Sequence, residues 1–431
     1  KPLPGLASWA LQRCDVGLPN FPDRRHTHIL LSVGPQPSER VLVLIRSVGV
    51  FGYKSLNRVM FAMGSVRILI GPNAAGKSNL IDALRLLSEA VKSDMEAAVS
   101  RRGGMNTVTF LSSQEKSFRL ILDYYVPDPA APRSRSDMTY SIQVADREGR
   151  PAVMLEELQI KRKRNEPGAP KLWFRAEWGR GEALRDVSQE SREPFDTGDP
   201  GVLALKALGF LEAYPRIRAL RTFIESWQFL TVDIKGIREP KRDERALRLS
   251  DDATNLANVL RTLQGSPPYQ TILENLRTLL DYVKDMSTDL DRGRVLLLLK
   301  EKSFRDPIEA LALSDGTLRL LAILTALETM PDHGLLCLEE PEHGLHPLLF
   351  GPLLDLLRER CPVGSSRQVL LTTHSPDLVD AAEPEEVVPV ERDETGATVL
   401  VPLDRQQLRK WLKSYRLGEL WRMRQIGGVP R

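Results

Sequence analysis

The chain lacks any apolar run of about 18 residues, the length that crosses a bilayer as a helix. Its first segment also lacks the apolar core that a secretion signal carries. Only three of the 431 residues are cysteine, and these stand far apart, which indicates neither a disulfide framework nor a zinc site. We therefore expect a protein that does not enter a membrane and that works in a reducing cytoplasm.

A strong excess of one charge is also missing. The chain has 60 Lys and Arg residues against 57 Asp and Glu residues, which gives a net charge of +3. Dedicated DNA-binding domains usually have a stronger basic bias, so the composition permits DNA binding without indicating it. With 42% apolar residues, the chain can bury a sizeable core in two or three domains or in one large elaborated domain.

The sequence predicts four parts. Residues 1–40 are rich in Pro, Gly and polar residues and predict an N-terminal extension. Residues 41–130 and 301–431 contain short apolar strands and amphipathic helices, which predict the two halves of an α/β domain. Residues 131–300 begin with polar stretches and continue with apolar residues at helical spacing, but without heptads. They predict an inserted α-rich lobe and no coiled-coil arm.

One glycine-rich loop fits the phosphate-loop pattern G-x-x-x-x-G-K-S, and it follows the apolar strand Val66–Ile70 and precedes a helical pattern. In this context, backbone N–H groups and the helix N-terminus hold phosphates. Lys77 would reach the β- and γ-phosphates of ATP, and Ser78 would bind Mg²⁺. The candidate nucleotide-binding residues are Gly71, Pro72, Asn73, Ala74, Ala75, Gly76, Lys77, Ser78 and Asn79.

A second apolar strand ends in two carboxylates. We predict that Glu339 holds Mg²⁺ and that Glu340 is the general base for the attacking water. The usual residue at the metal position is Asp, so the extra methylene of Glu339 favours a water between its carboxylate and the metal. The alternative is a strand that ends in a solvated acidic loop.

Two further segments carry candidate chemistry. Ser314 begins an apolar helix, and with Gly316 it would form an anion site at the helix N-terminus, although a simple N-cap is the alternative. A third apolar strand leads to His374, whose place at a strand end favours catalysis over a structural role. His343 and His346, in the loop after the acidic pair, favour contact with a partner subunit over binding of a further metal.

The order of these segments resembles ABC-type ATPases. Leu313-Ser314-Asp315-Gly316-Thr317 is similar to the ABC signature, and His374 to the switch histidine. Ile70–Asn79, together with Val50–Leu56, looks like the SMC/RecF-type branch. Glu339–Glu342 with Leu345–Pro347 is similar to RecF-like and OLD-like ATPases, here without the Toprim nuclease domain, because only about 57 residues follow His374.

This resemblance implies an α/β fold: a P-loop ABC-ATPase head with a mixed sheet core, flanking helices and an antiparallel β subdomain. It also implies ATP and Mg²⁺ as cofactors, with Lys77, Glu340 and His374 as catalytic residues. Two copies would form a homodimer in which each ATP lies between one phosphate loop and the Ser314 segment of the other copy. ATP binding would close the two heads, hydrolysis would reopen them, and DNA or a partner protein would respond to the closed state.

The sequence leaves that target open between DNA, in repair or phage defence, and a separate effector protein such as a nuclease. The candidate DNA contacts are three basic segments, each of which has a solvated surface as its alternative: 161–164, 235–248 and 405–424. Two features of the resemblance are incomplete. Gln114 is only a weak candidate for the Q-loop glutamine, and Tyr53 and Lys54 only lie in the right part of the chain for an adenine contact.

Overall fold

The structure is a computed structural model that describes residues 43–111, 115–128, 131–160, 171–185 and 191–428. The strands in these ranges, numbered along the chain, are β1 (Leu44–Tyr53), β2 (Leu56–Ala62), β3 (Val66–Ile70), β4 (Ser117–Asp128), β5 (Ala131–Arg147), β6 (Arg150–Ile160), β7 (Lys171–Glu177), β8 (Arg180–Ala183), β9 (Glu193–Asp196), β10 (Gln228–Leu230), β11 (Lys241–Arg242), β12 (Val283–Asp291), β13 (Arg294–Glu301), β14 (Ile308–Glu309), β15 (Gly334–Glu339), β16 (Arg367–Thr373), β17 (Val387–Arg392) and β18 (Thr398–Leu400). The α-helices are α1 (Lys77–Lys92), α2 (Met95–Ser100), α3 (Met105–Val108), α4 (Ala204–Gly209), α5 (Pro215–Glu225), α6 (Ile234–Arg238), α7 (Leu256–Leu263), α8 (Pro267–Leu279), α9 (Asp315–Thr329), α10 (Phe350–Arg360), α11 (Pro376–Asp380), α12 (Arg405–Trp411) and α13 (Leu417–Arg422). Short 3-10 helices cover Ala310–Ala312 and Pro347–Leu349.

The central sheet has the strand order β10-β15-β16-β3-β17-β18. Its first five strands are parallel, and β18 returns antiparallel to β17. These parallel strands are short and largely buried, as in sheets that are covered on both faces. Because they are parallel, their carboxyl ends meet at one edge, and the segments that follow them lie together there.

Neighbouring residues of this sheet face two different hydrophobic clusters, as the pleat requires. Leu69 and Leu370 belong to the cluster that α1 shares with the antiparallel sheet. Ile68 and Leu371 belong to the second cluster, which contains the buried faces of α7, α8, α9 and α10. Cys337, a buried free thiol, belongs to the first cluster. The central sheet therefore separates the two cores, and α1 packs on one side of it.

An antiparallel sheet with the order β2-β1-β4-β5-β6-β7-β8-β9 corrects the expected helix-rich insertion in its first half. Residues 131–196 supply five of its strands, β5–β9, so the helices α4–α8 of the insertion are confined to 204–279. The pairs Glu148-Gly149 and Trp178-Gly179 have positive φ and form tight hairpin turns. Glu and Trp are unusual at the first position of such turns, so the turns are hard to recognise from the sequence.

The elements predicted on either side of the phosphate loop agree with the structure. The predicted strand Val66–Ile70 coincides with β3, and the predicted helix after the loop is α1. No helix in the described part of the chain is long and apolar enough to cross a membrane. The predicted extension at 1–40 lies outside the described residues, and the division of the chain at 130 and 300 stays a prediction.

Candidate functional site

The phosphate loop, Gly71–Ser78, leaves the carboxyl end of β3 and enters α1. Gly76 has a φ of 108°, and a Cβ atom at this position would overlap the side-chain oxygen of Thr398. Only glycine therefore allows the loop to pass this close to β18. Ala74 also has positive φ, 62°, so the loop curls tightly before the helix begins. This is the conformation in which successive backbone N–H groups can surround an anion.

Lys77 is almost completely buried beneath the loop that it follows. Its Nζ donates hydrogen bonds to the backbone oxygens of Gly71, at 2.7 Å, and Pro72, at 3.0 Å. Burial lowers the pKa of Lys77 to about 8, and the nearby carboxylates of Glu340 and Glu342 oppose this shift. The ammonium group is thus held inside the loop at a cost in solvation that a bound phosphate would offset.

A cavity of about 390 Å³ opens over the phosphate loop. It is lined by Asn73, Ala74, Ala75, Gly76, Lys77, Ser78, Asn79, Glu340, His374 and Arg392. All of these residues except Arg392 are predicted from the sequence. A curled loop, a helix N-terminus, a buried cation and a Ser hydroxyl are the groups that bind a phosphate chain and its Mg²⁺, so the residues present fit ATP and Mg²⁺.

Glu339 and Glu340 point in different directions at the end of β15. Glu340 has a φ of 48°, its backbone N–H donates to the carbonyl oxygen of Thr372 at 3.1 Å, and its side chain lines the cavity. Glu339 instead accepts a hydrogen bond from Thr231 Oγ1 at 3.2 Å, and its carboxylate lies 3.4 Å from Arg85. The predicted general base is thus in the cavity, and the predicted metal ligand lies beside it, towards β10.

His374 reaches the cavity from the end of β16, and Glu342 holds it there. The buried carboxylate of Glu342 accepts hydrogen bonds from the backbone N–H of His374, at 2.9 Å, and from the hydroxyl of Thr373, at 2.6 Å. Burial lowers the pKa of His374 below its usual value of 6.5, and the positive charge of Lys77 lowers it further. His374 is therefore mainly neutral at pH 7. Glu342 lies in a segment that resembles the family, but no role could be assigned to it from the sequence.

Ser314 caps α9, but it does not line the cavity over the phosphate loop of its own chain. Its side-chain oxygen accepts a hydrogen bond from the backbone N–H of Thr317 at 3.1 Å. Gly316 packs directly against the loop after β15, because a Cβ atom there would overlap the carbonyl oxygen of Gly344. Gly316 thus packs on the loop after β15, and both Ser314 and Gly316 lie outside the predicted nucleotide cavity.

Arg238 pairs with Asp315, which stands where the ABC signature that this segment resembles has a glycine. One guanidinium nitrogen of Arg238, in α6, lies 2.7 Å from the carboxylate of Asp315 and 2.7 Å from the carbonyl oxygen of Leu313. This arginine therefore contacts the residues on both sides of Ser314. A glycine at position 315 could not form the ion pair.

Tyr53 cannot supply the adenine contact that its position suggested. Its ring is buried against Phe118, and its hydroxyl donates to Asp82 at 2.6 Å. The weak Q-loop candidate, Gln114, lies outside the described residues. Thr231 and Arg85 contact the carboxylate of Glu339, and neither was identified from the sequence. Thr231 follows β10, which is only three residues long, and Arg85 lies within α1, where no motif marks it.

The comparisons with known proteins concern the family and the fold of the chain. A family model described as AAA domain, putative AbiEii toxin, Type IV TA system matches residues 67–380, which contain the phosphate loop, the acidic pair and His374. No curated protein sequence matches the chain.

Among solved structures, the fold resembles SMC heads. One is an SMC head bound to the C-terminal winged-helix domain of ScpA, with a TM-score of 0.53, 14% identity, and coverage of 85% of this chain and 99% of that chain. Another is an SMC head with an extended coiled coil, bound to the C-terminal domain of ScpA from Pyrococcus furiosus, with a TM-score of 0.54, 14% identity and coverage of 86% and 99%. The expected ABC-ATPase head fold, with its central mixed sheet and antiparallel sheet, is confirmed. The chain has the fold of the SMC-type ABC ATPase head. The family model matches well over half of the chain, so this protein belongs to the P-loop ATPase family described as AAA domain, putative AbiEii toxin, Type IV TA system.

Proposed function

We propose that this protein hydrolyses ATP at two composite sites formed by a head-to-tail homodimer. One observation supports this most directly: Lys77, Glu340 and His374 line one cavity, whereas Ser314 and Gly316, at the other predicted nucleotide contact, lie outside it. A single chain therefore carries two separate halves of a nucleotide site, and neither half is complete by itself. Two copies related by a twofold axis would place each half against its complement.

In this proposal, the phosphate loop and Lys77 bind the phosphates of ATP, while Ser78 and Glu339 hold Mg²⁺. The metal, when bound, supplies positive charge that stabilises the charge developing on the phosphates. Glu340 accepts a proton from the attacking water, and neutral His374 orients that water or the γ-phosphate by donating a hydrogen bond. Ser314 and the backbone N–H of Gly316 from the partner copy would complete the site around the γ-phosphate.

Mixing two inactive variants tests the shared site. Lys77→Ala removes the phosphate-binding cation, and Ser314→Arg blocks the contact to the partner's nucleotide. A mixed dimer contains one site in which both halves are intact. An equal mixture should recover roughly a quarter of the wild-type ATPase rate by random pairing of subunits. An inactive mixture of two folded variants that form mixed dimers would count against this arrangement.

DNA is the first candidate target of the closed dimer. Helix α12 and the segment after it carry exposed basic residues that form no ion pair with any described residue: Arg405, Arg409, Lys410 and Lys413. The other two basic segments support this function less. Arg238 and Lys241 in the 235–248 segment pair with carboxylates, and 161–164 lies outside the described residues.

A salt titration tests the proposed DNA contact. Neutralising Arg409 and Lys410 together should weaken DNA binding and reduce the slope of the logarithm of affinity against the logarithm of salt concentration, by about one or two units. The ATPase rate without DNA should not change, because α12 does not line the cavity. An unchanged slope would indicate that this surface does not contact DNA phosphates.

A separate effector protein is the second candidate target. The family description names a putative toxin of a Type IV TA system, which favours a function in defence or growth control together with another gene product. Purification in the presence and absence of ATP would distinguish the two candidates. A protein that is retained only with ATP, with DNA binding unaffected by ATP, would favour the effector.

A further inference from the structure

The C-terminal hairpin, β17 and β18 with their turn, is fastened directly to the phosphate loop. The side chain of Thr398 donates to the carbonyl oxygen of Ala75 at 2.8 Å, and its backbone N–H donates to the carbonyl oxygen of Ser55 at 2.7 Å. The hydroxyl of Ser55 in turn accepts a hydrogen bond from the side chain of Asn79 at 2.7 Å. These hydrogen bonds connect the hairpin to the phosphate loop and to the first turn of α1.

Arg392 lies directly opposite Thr398 in this hairpin. Opposed residues of an antiparallel pair project from the same face. Because Thr398 faces the phosphate loop, Arg392 must project towards it as well. Its side chain indeed lines the cavity that Lys77, Glu340 and His374 share. An element from the C-terminal end of the ATPase head thus contributes a cation to the candidate nucleotide site.

The two acidic residues that flank Arg392 in the chain accept hydrogen bonds from backbone N–H groups. The side chain of Asp393 accepts hydrogen bonds from the backbone N–H groups of Thr395 and Ala397, both at 2.9 Å. Glu391, on the opposite face of the strand, accepts from the backbone N–H of Gly428. Within the described residues, no carboxylate lies within salt-bridge distance of the Arg392 guanidinium, which is exposed to the cavity.

We propose that Arg392 binds a phosphate group of the nucleotide as a second side-chain cation beside Lys77. This inference rests on the proposed function, because it concerns the same ATP. A guanidinium has five donors in a planar fork that matches two phosphate oxygens at once. Lys77 is a buried point charge that donates hydrogen bonds to two carbonyl groups. Arg392 lies on a strand that is hydrogen-bonded to the loop through its hairpin, and its side chain is exposed to the cavity.

Binding measurements with nucleotides of decreasing phosphate content test this inference. Arg392→Ala should weaken ATP binding by roughly 10-fold to 100-fold and leave adenosine binding unchanged. Arg392→Lys should restore part of the affinity, since it keeps the charge but not the fork. The matched control is Arg150→Ala, which removes an exposed arginine at the start of β6, outside the cavity, and should leave the Kd for ATP unchanged. Dissociation constants for ATP, ADP, AMP and adenosine would be measured for each folded variant.

Two outcomes would overturn the inference. Wild-type ATP affinity in Arg392→Ala would show that the guanidinium makes no useful contact, and an equal loss for adenosine would show that it contacts the nucleoside. Both outcomes leave the proposed function standing, provided that the wild-type protein binds and hydrolyses ATP. Failure of the wild-type protein to bind ATP would instead remove the proposed function itself.

Discussion

Nε2 of His343 lies 2.8 Å from one carboxylate oxygen of Glu340, so the loop after β15 folds back onto the residue that we predict to be the general base. The other oxygen of Glu340 lies 3.5 Å from Nε2 of His374. Glu340 also has positive φ, a conformation that costs a non-glycine residue about 1–3 kcal/mol and that surrounding contacts must maintain. The carboxylate is therefore held between two imidazoles at the edge of the cavity.

Replacing Glu340 with Gln removes the proton acceptor and keeps the size of the side chain. We expect the rate of ATP hydrolysis to fall by about 100-fold or more, while the Kd for ATP stays within a few-fold of the wild-type value. Single-turnover hydrolysis and equilibrium binding would measure the two effects. His343→Gln is the control, because it keeps a donor beside an intact Glu340 and should cost much less. Unchanged turnover in Glu340→Gln would disprove the assigned role.

Lys77 makes ATP binding depend on pH in the alkaline range. Burial lowers its pKa to about 8 in the free protein, and a bound phosphate favours the charged form. Above pH 8, ATP binding must therefore be accompanied by proton uptake, and the Kd for ATP should rise as the pH increases. Isothermal titration at pH 8.5, in two buffers with different ionisation enthalpies, would measure the uptake. Equal apparent enthalpies in the two buffers would contradict it.

Sequence patterns were sufficient to predict site residues at the ends of buried strands. The strands that precede Gly71, Glu339 and His374 are short apolar runs, and parallel strands bring their carboxyl ends to one edge. The principal residues of the candidate site could therefore be predicted together. Ser314 and Gly316 were predicted from the same order of segments, and the structure places them outside that cavity.

Residues that depend on strand order could not be predicted in this way. Thr231 follows a strand of three residues, too short for a recognisable pattern, and it meets Glu339 only because β10 pairs with β15. Arg392 reaches the cavity only because β17 pairs with β3, a neighbour more than 300 residues earlier in the chain. Tyr53 was considered as an adenine contact because of its place in the chain, but its side chain is buried in the core.

Gly316 provides a test of the contact between the signature-like segment and the acidic loop. A Cβ atom at this position would overlap the backbone oxygen of Gly344, and backbone atoms cannot move away as a flexible side chain can. Gly316→Ala should therefore lower the free energy of unfolding by about 1–3 kcal/mol and reduce hydrolysis more than ATP binding. Chemical denaturation would measure the first effect.

Gly351 supplies the matched control for that substitution. It also lies in the first turn of a helix, α10, but a Cβ atom there would meet nothing within 4 Å. Gly351→Ala should leave the stability unchanged or raise it by about 0.5–1 kcal/mol, because alanine favours the helix. Equal stability of the two variants would show that the loop relaxes around the added methyl group.

Thr231 and Glu339 predict how the protein depends on Mg²⁺. The Thr231 hydroxyl lies 3.2 Å from the Glu339 carboxylate, which we expect to hold the metal directly or through a water. Groups that orient a metal-binding carboxylate typically contribute about 10-fold to 100-fold in metal affinity. Thr231→Val keeps the shape of the side chain and removes the hydroxyl. It should raise the Mg²⁺ concentration for half-maximal hydrolysis by about 10-fold, with metal-free ATP binding unchanged. Thr278→Val, on the exposed face of α8, is the control, and an equal Mg²⁺ requirement in both variants would show that the Thr231 hydroxyl does not orient a metal ligand.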